Sequence, residues 1–241
     1  MNKRNLFLYA ALTALSVSAT AQTMNVTRAG DTTIVKIAKS PKYLLLPIEE
    51  GKDEAQVILD NGKKTDTWMD VRLAQGKTDY YVSFKLNKGK TSVVKILNLK
   101  ADALALQKGQ LKLSNVWDVT NTDYYRPSYH HTPSYGWMND PVGMFYKDGV
   151  YHLCYQYNPY GSMWGNMHWG HAVSRDLIHW KEVEPTLQRD PMGHIFSGST
   201  VIDKDGTAGY GKNAVISLYT SDSKENAQTQ CMAYSTDGGY T

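Results

Sequence analysis

The sequence predicts an all-β protein: an N-terminal β-sandwich-like module followed by the first blades of a β-propeller. Three observations carry this. Short runs rich in Val, Ile, Leu and Tyr alternate with turn residues from Thr32 onward. A unit of about 60 residues recurs in the second half, with several short strands per unit. Charge and aromatic content change partway along the chain. Residues 22–122 hold 16 basic, 11 acidic and 6 aromatic side chains, whereas residues 123–241 hold 8, 12 and 19. Two domains of different character account for the split.

The chain opens with Lys3 and Arg4, a short apolar run from Leu6 to Val17, and a small-x-small site at Ala19-Thr20-Ala21. That is the pattern of a cleaved secretory signal over residues 1–21, with the mature chain starting at Gln22. The run is too short to span a bilayer. The expected destination is the periplasm, the cell surface or the medium, with no membrane span after cleavage. The near-balance of charge beyond the signal argues against a nucleic-acid partner.

Within the expected accessory module, residues 22–122, the predicted strands are Thr32–Ile37, Lys42–Pro47, Ala55–Leu59, Thr67–Leu73, Tyr80–Leu86 and Ser92–Leu97. Turns such as Asp60-Asn61-Gly62 and Asn87-Lys88-Gly89 separate them. Residues 101–113 read equally as helix or strand. Asp66, Asp70 and Asp79 are scattered and read as turn or solvated positions. Trp68 and Trp117 read as core residues, with an accessory sugar-binding role as the alternative. Asn121 to Pro133 is polar, rich in Tyr and His, and reads as a linker.

The repeat is visible as Ala172-Val173-Ser174-Arg175-Asp176 against Ala233-Tyr234-Ser235-Thr236-Asp237, and as Lys147-Asp148-Gly149 against Lys204-Asp205-Gly206. The first unit's strands are Met144–Tyr146, Val150–Gln156, Met167–Ser174 and His179–Val183. The second unit's are Gly198–Ile202, Ala214–Thr220 and Gln228–Ser235, with a fourth starting at Thr241. Propellers close with about four to eight blades, so fewer than two blades implies a piece of a longer protein or a truncated product. Cys154 lies in an apolar strand pattern and reads as a small buried hydrophobe; pairing with Cys231 is left open, because sequence does not fix connectivity.

Chemistry concentrates in Trp137-Met138-Asn139-Asp140-Pro141-Val142-Gly143, placed by this reading on a loop or strand start just ahead of the first blade's strands. A carboxylate flanked by Trp and Asn suits a sugar: the ring stacks on C–H faces, the amide reads hydroxyls, and the carboxylate can attack an anomeric carbon. Asn-Asp-Pro is also an ordinary turn. The segment resembles the signature of glycoside hydrolase family 32, the levanase, inulinase and invertase family, which reads Trp-Met-Asn-Asp-Pro-Asn-Gly. Tyr155-Gln156-Tyr157-Asn158-Pro159, Trp164-Gly165 with His168-Trp169-Gly170-His171-Ala172, and Phe196-Ser197-Gly198-Ser199 resemble further motifs of that family, in order and within 63 residues.

The resemblance implies a five-bladed propeller, incomplete here over residues 123–241, and a β-fructosidase that hydrolyses fructans (levan or inulin) or sucrose with retention. It implies Asp140 as nucleophile, Asn139, Gln156 and Ser197 as contacts to fructose hydroxyls, and Trp164 and Phe196 as apolar walls, with Trp137 nearby and Met138 in packing. Val142 departs from the signature's Asn, implying a changed loop contact. No cofactor and no metal are implied; His168 and His171, and His130 with His131, read as packing or hydrogen-bonding residues. Retaining glycosidases need a second carboxyl group about 5 Å from the nucleophile. The family supplies it from a later Glu-Cys motif, together with an Arg-Asp-Pro triplet. Arg189-Asp190-Pro191 precedes Phe196-Ser197 and so reads as a decoy, while Glu182, Glu184 and Glu225 read as surface residues. Two other readings stand beside this one: a truncated, non-catalytic sugar-binding product, and a related propeller glycosidase acting on arabinan or xylan.

Overall fold

A computed structural model describes residues 23–62, 67–117, 126–223 and 227–241. The signal segment, most of the linker before Arg126, and Asp66 and Glu225 lie outside the described residues. The described chain is built from strands, with one short 3₁₀ turn at Leu104–Leu106.

The N-terminal half forms two antiparallel sheets. One has five strands in the order β1 (Met24–Ala29), β2 (Thr32–Ile37), β7 (Ser92–Leu97), β4 (Ala55–Leu59) and β5 (Trp68–Val71). The other has three, β6 (Tyr80–Lys85), β3 (Tyr43–Ile48) and β8 (Lys112–Ser114). Alternation places Val35, Ile37, Val57, Val94 and Ile96 on the inner face of the first sheet, against Leu44, Leu46, Val82 and Phe84 of the second. Period-two patterning thus fixes both register and core. The predicted strands fall within a residue or two of their places. Two differences stand out. The polar edge strand β1, all but Met24 exposed, gave no apolar signal in the sequence. The ambiguous segment 101–113 resolves into the 3₁₀ turn and the start of β8.

The second half forms two further sheets. β9 (Trp137–Lys147), β10 (Val150–Asn158), β11 (His168–Ser174) and β12 (Trp180–Leu187) make a four-stranded antiparallel meander. β13 (His194–Asp203), β14 (Ala214–Ser223) and β15 (Ala227–Ser235) make a three-stranded one. The repeat read from sequence is physical. Ser174 and Ser235 each donate from Oγ to Asp176 and Asp237, at 3.0 and 2.6 Å. Those carboxylates then accept from the backbone N–H groups of Ile178 and His179, and of Tyr240 and Thr241.

Several expectations are corrected. Of the two placements the sequence allows, loop or strand start, the Trp137–Gly143 segment takes the second and forms the first two-thirds of β9. Pro141 and Gly143 fit there because β9 is an edge strand with two register shifts against β10. Val142 is not a loop contact but is buried with Cys154, Trp169, Ile195 and Tyr219 between the two blades. Glu182 and Glu184 are not surface residues. Glu182 is 9% exposed and accepts from the Ser134 N–H and Oγ–H, both at 2.7 Å. Glu184 takes Lys42 and, at 3.2 Å, Lys85 across the seam to the sandwich. Trp68 lies under the Arg189 guanidinium and Trp117 packs edge-on against Tyr43, so neither is presented as a sugar platform. Both cysteines are free, Cys154 buried as a small hydrophobe.

Trp169 is fully buried and Gly143, at φ +53°, passes directly over its ring. A Cβ added at Gly143 would sit 2.4 Å from the indole, in a backbone region that L residues avoid at about 1 kcal/mol or more. Trp169→Ala is therefore expected to destabilise by about 3–5 kcal/mol, and Gly143→Ala to lower the denaturant midpoint although it removes no atoms. Equilibrium unfolding measures both. Burial also pushes the Glu182 carboxyl above the usual carboxylate range, against the opposing Ser134 and Trp117 contacts. The folded chain thus holds this proton more tightly than the unfolded one. Glu182 costs stability as pH rises through and above the ordinary Glu range. Glu182→Gln is expected to flatten that part of the melting temperature–pH curve; an unchanged curve would contradict the assignment.

Candidate active site

The inner strands of the two blades carry the same irregularity at the same height. Met138 pairs with Tyr157 and Pro141 with Tyr155, so Asn139 and Asp140 together oppose Gln156. Ile195 pairs with Ser221 and Gly198 with Tyr219, so Phe196 and Ser197 together oppose Thr220. Two residues against one is a bulge, which re-aims side chains. Here it turns both pairs toward one cleft of ≈ 390 Å³, lined by Asn139, Asp140, Gln156, Trp164, Phe196 and Ser197. All six residues singled out from sequence therefore meet at one place. Two others share it that the sequence did not single out, Thr220 and Gln228. The two-against-one register at Thr220, which would have marked it, is invisible without the pairing.

Hydrogen bonds join the cleft across the blades. Ser197 Oγ donates to Asp140 Oδ2 at 2.8 Å, and Asn139 Nδ2 to Asp140 Oδ1 at 3.3 Å. Asn139 is oriented in turn by the Trp137 indole N–H, which donates to its Oδ1 at 2.8 Å. Gln156, buried at the base of the cleft lining, is pinned by its Nε2 to the Ile195 carbonyl at 3.0 Å. The Ser197 and Asn139 donors hold the exposed Asp140 carboxyl below its ordinary range, so it is ionised over a wide span of pH. One wall is aromatic: Trp164, 54% exposed, stacks on His194 with ring centroids 5.6 Å apart and meets Phe196 edge-on at 6.2 Å.

The remaining candidates lie elsewhere. Arg189-Asp190-Pro191 borders the seam with the sandwich, beside Met69, Phe84 and Tyr160. Asp190 caps the Met192 N–H at 2.8 Å. Glu182 and Glu184 face the linker and sandwich rather than the cleft. His168 is buried, and burial pushes its imidazole down to about 3. His171 is buried too, its Nε2 3.0 Å from the His152 Nδ1. Among the described residues, no group of three or more His, Cys, Asp or Glu side chains is arranged to hold a metal ion.

Residues 130–241 match the family model described as glycosyl hydrolases family 32 N-terminal domain, and residues 29–129 match one described as a domain of unknown function, DUF4980. Among curated proteins, a levanase of Bacillus subtilis is 51% identical over 131 residues, covering 52% of this chain and 19% of the levanase. An extracellular exo-inulinase of Meyerozyma guilliermondii is 46% identical over 134 residues, covering 51% of this chain and 26% of that protein. Among solved structures, a fructofuranosidase from Schwanniomyces occidentalis complexed with fructose is 42% identical, with a TM-score of 0.47, over 51% of this chain and 26% of that one. The chain thus spans about a fifth to a quarter of the length of these relatives. Residues 130–241, which carry the paired inner-strand motifs, are thus similar to the N-terminal domain of glycosyl hydrolase family 32.

Proposed function

We propose that the protein of which these residues form a part hydrolyses β-fructofuranosidic bonds in fructans or sucrose, with retention, and that Asp140 is its nucleophile. The observation that carries this reading is the Asp140 carboxylate held by Ser197 and Asn139 in a cleft walled by Trp164 and Phe196. The relatives' names, a levanase and an exo-inulinase, point to the same substrates. In the first step an Asp140 oxygen attacks the anomeric carbon of the fructosyl unit. The bond to the leaving oxygen breaks, its electron pair stays on that oxygen, and an acid supplies the proton. Water then attacks the fructosyl ester, gives a proton back to the same group, and releases the carboxylate. No Glu-Cys pair, which the family uses for that acid, occurs in these 241 residues. Asn139, Gln156 and Ser197 bind fructose hydroxyls, and Trp164 and Phe196 pack against its C–H faces.

Residues 1–21 are proposed as a cleaved signal, 22–122 as an accessory sandwich and 123–241 as the first part of a five-bladed propeller. The apolar stripe of Val201, Leu218, Met232 and Tyr234, all about half exposed, supports further blades packing on that face. Export fits the signal pattern and the name of the extracellular exo-inulinase. Among the described residues no helix is long and apolar enough to cross a membrane.

In the complete enzyme, Asp140→Asn should lower fructose release by roughly 10⁴-fold or more without shifting the melting temperature downward. Near-normal turnover would sink the assignment. A panel of levan, inulin, sucrose, arabinan and xylan separates the fructosidase reading from the related glycosidases. Removing the Ser197 donor raises the Asp140 pKa, and the nucleophile must be ionised. Ser197→Ala is therefore expected to move the acidic limb of the kcat/KM–pH profile to higher pH. An unmoved limb would mean that Ser197 does not tune Asp140.

A further inference from the structure

The segment between β10 and β11, residues 159–167, carries the cleft wall Trp164 but is fastened outside its own blade. Tyr160 is 4% exposed and belongs to the hydrophobic core of the N-terminal sandwich, its ring 6.0 Å from that of Phe84. The Ser162 N–H donates to Glu50 Oε1 at 3.2 Å. The Asn166 side chain makes a reciprocal pair with the main chain of Asp70 on β5: the Asp70 N–H donates to its Oδ1 at 3.0 Å, and its Nδ2 donates to the Asp70 carbonyl at 2.8 Å. An amide that accepts from and donates to one residue's backbone mimics a neighbouring strand, and it does so on a strand that ends its sheet. Arg189 strengthens the same spot. Its Nη1 donates to Asn166 Oδ1 at 3.0 Å while its guanidinium lies over Trp68.

Between the Ser162 and Asn166 anchors stands Trp164, half exposed and facing the cleft. The blade itself adds Asn158, whose Nδ2 donates to the Met163 carbonyl at 2.8 Å and whose Oδ1 accepts from the Tyr160 N–H and Asn166 Nδ2. Just beyond, the Met167 N–H donates to Nδ1 of His194, the ring on which Trp164 stacks. We propose that the N-terminal sandwich, which matches a domain of unknown function, is a brace for the substrate-binding wall, and that Tyr160, Ser162 and Asn166 are positioning residues that act on the sugar through Trp164. The stacking face of a sugar-binding indole must be held against the pull of its own exposed loop. Loop segments open more readily than strands, and a misplaced wall loses orientation that the reaction needs. The sandwich supplies three fixed points that the blade lacks.

The inference rests on the fructoside-hydrolase reading only for its kinetic readout. The test is a double-mutant cycle in the complete enzyme, Asn166→Ala with Trp164→Ala, read as kcat/KM on sucrose and on inulin. With Trp164 present, Asn166→Ala is expected to cost roughly tenfold, the scale of lost hydrogen bonds. With Trp164 already removed it is expected to cost less than twofold, because contacting groups that act as one unit are not additive. Equal losses in both backgrounds, or no loss in either, overturn the proposal. Glu50→Ala, on the sandwich side, runs through the same cycle and stands in if Asn166→Ala does not fold. A second readout needs no activity: in protein carrying 5-fluorotryptophan, the ¹⁹F line of Trp164, assigned by its loss in Trp164→Ala, is expected to shift or broaden in Asn166→Ala. If the enzyme turns over no fructoside but that line moves, the function reading fails and the brace stands. If turnover is normal and the line does not move, the brace fails and the function reading stands.

Discussion

The cleft depends on the buried indole of Trp169. Its ring fills the space between the two blades with Val142, Cys154, Ile195 and Tyr219, and its Nε1 donates to the Phe196 carbonyl at 3.1 Å. That carbonyl lies within the bulge that turns Phe196 and Ser197 toward Asp140. One side chain therefore sets the spacing of the blades by volume and the height of the second bulge by a hydrogen bond. Close packing transmits such constraints because interiors leave little free volume. The small residues around the ring follow from it. Gly143 passes over its face, and the adjoining Gly170 is so near the Tyr155 ring that an added Cβ would lie 2.2 Å from it. Gly143 and Gly170 are thus placed by the packing of Trp169 and Tyr155.

Electrostatics at the cleft follow from this geometry. Asp140 is exposed, so water already favours its charged form, and its two nearest donors are a hydroxyl and an amide rather than a cation. Neutral donors lower the pKa while leaving the negative charge on the oxygens, where an electron-poor carbon can meet it. A guanidinium at the same distance would ionise the group more firmly but neutralise that charge. Arg189 is instead committed to the seam, its side chain 8% exposed and held by Asn166 and Trp68.

What the sequence revealed and what it hid divide on physical lines. The repeat was legible because turns are local: a Ser two residues before an Asp specifies its own hydrogen bonds wherever it occurs, as at Ser174 and Ser235. The six cleft residues were legible because they fall within dense motifs. Trp137–Gly143 stayed open between loop and strand start, since Pro141 and Gly143 signal a turn locally and only pairing with β10 overrides them. The burial of Glu182 and Glu184 was hidden, because it depends on a linker and a sheet far away in the chain. Thr220 and Gln228 stayed hidden for the same reason, because their approach to Asp140 is set by register across three strands rather than by spacing along one.

The seam between the halves shows why nonlocal contacts matter for a wall built on a loop. The flanking strands β10 and β11 are held by ladder bonds on both sides, but residues 159–167 leave the ladder, and their backbone needs other partners. Asn158 supplies some from within the blade, and it is already shared among Met163, Tyr160 and Asn166. The second blade takes the Met167 N–H at His194 and its carbonyl at the Ile195 N–H, and the sandwich adds a carboxylate at Glu50 for the Ser162 N–H, a backbone edge at Asp70 for the Asn166 side chain and a hydrophobic socket that takes Tyr160. β5 ends its sheet, and an edge strand presents backbone groups that need partners outside the ladder. Asn166 pairs with it at Asp70 and in doing so anchors the loop, so one amide both caps a sheet edge and holds the segment that carries Trp164. Because each half satisfies groups that the other leaves bare, the order of the cleft and the stability of the sandwich are coupled, although no sandwich side chain lines the cleft.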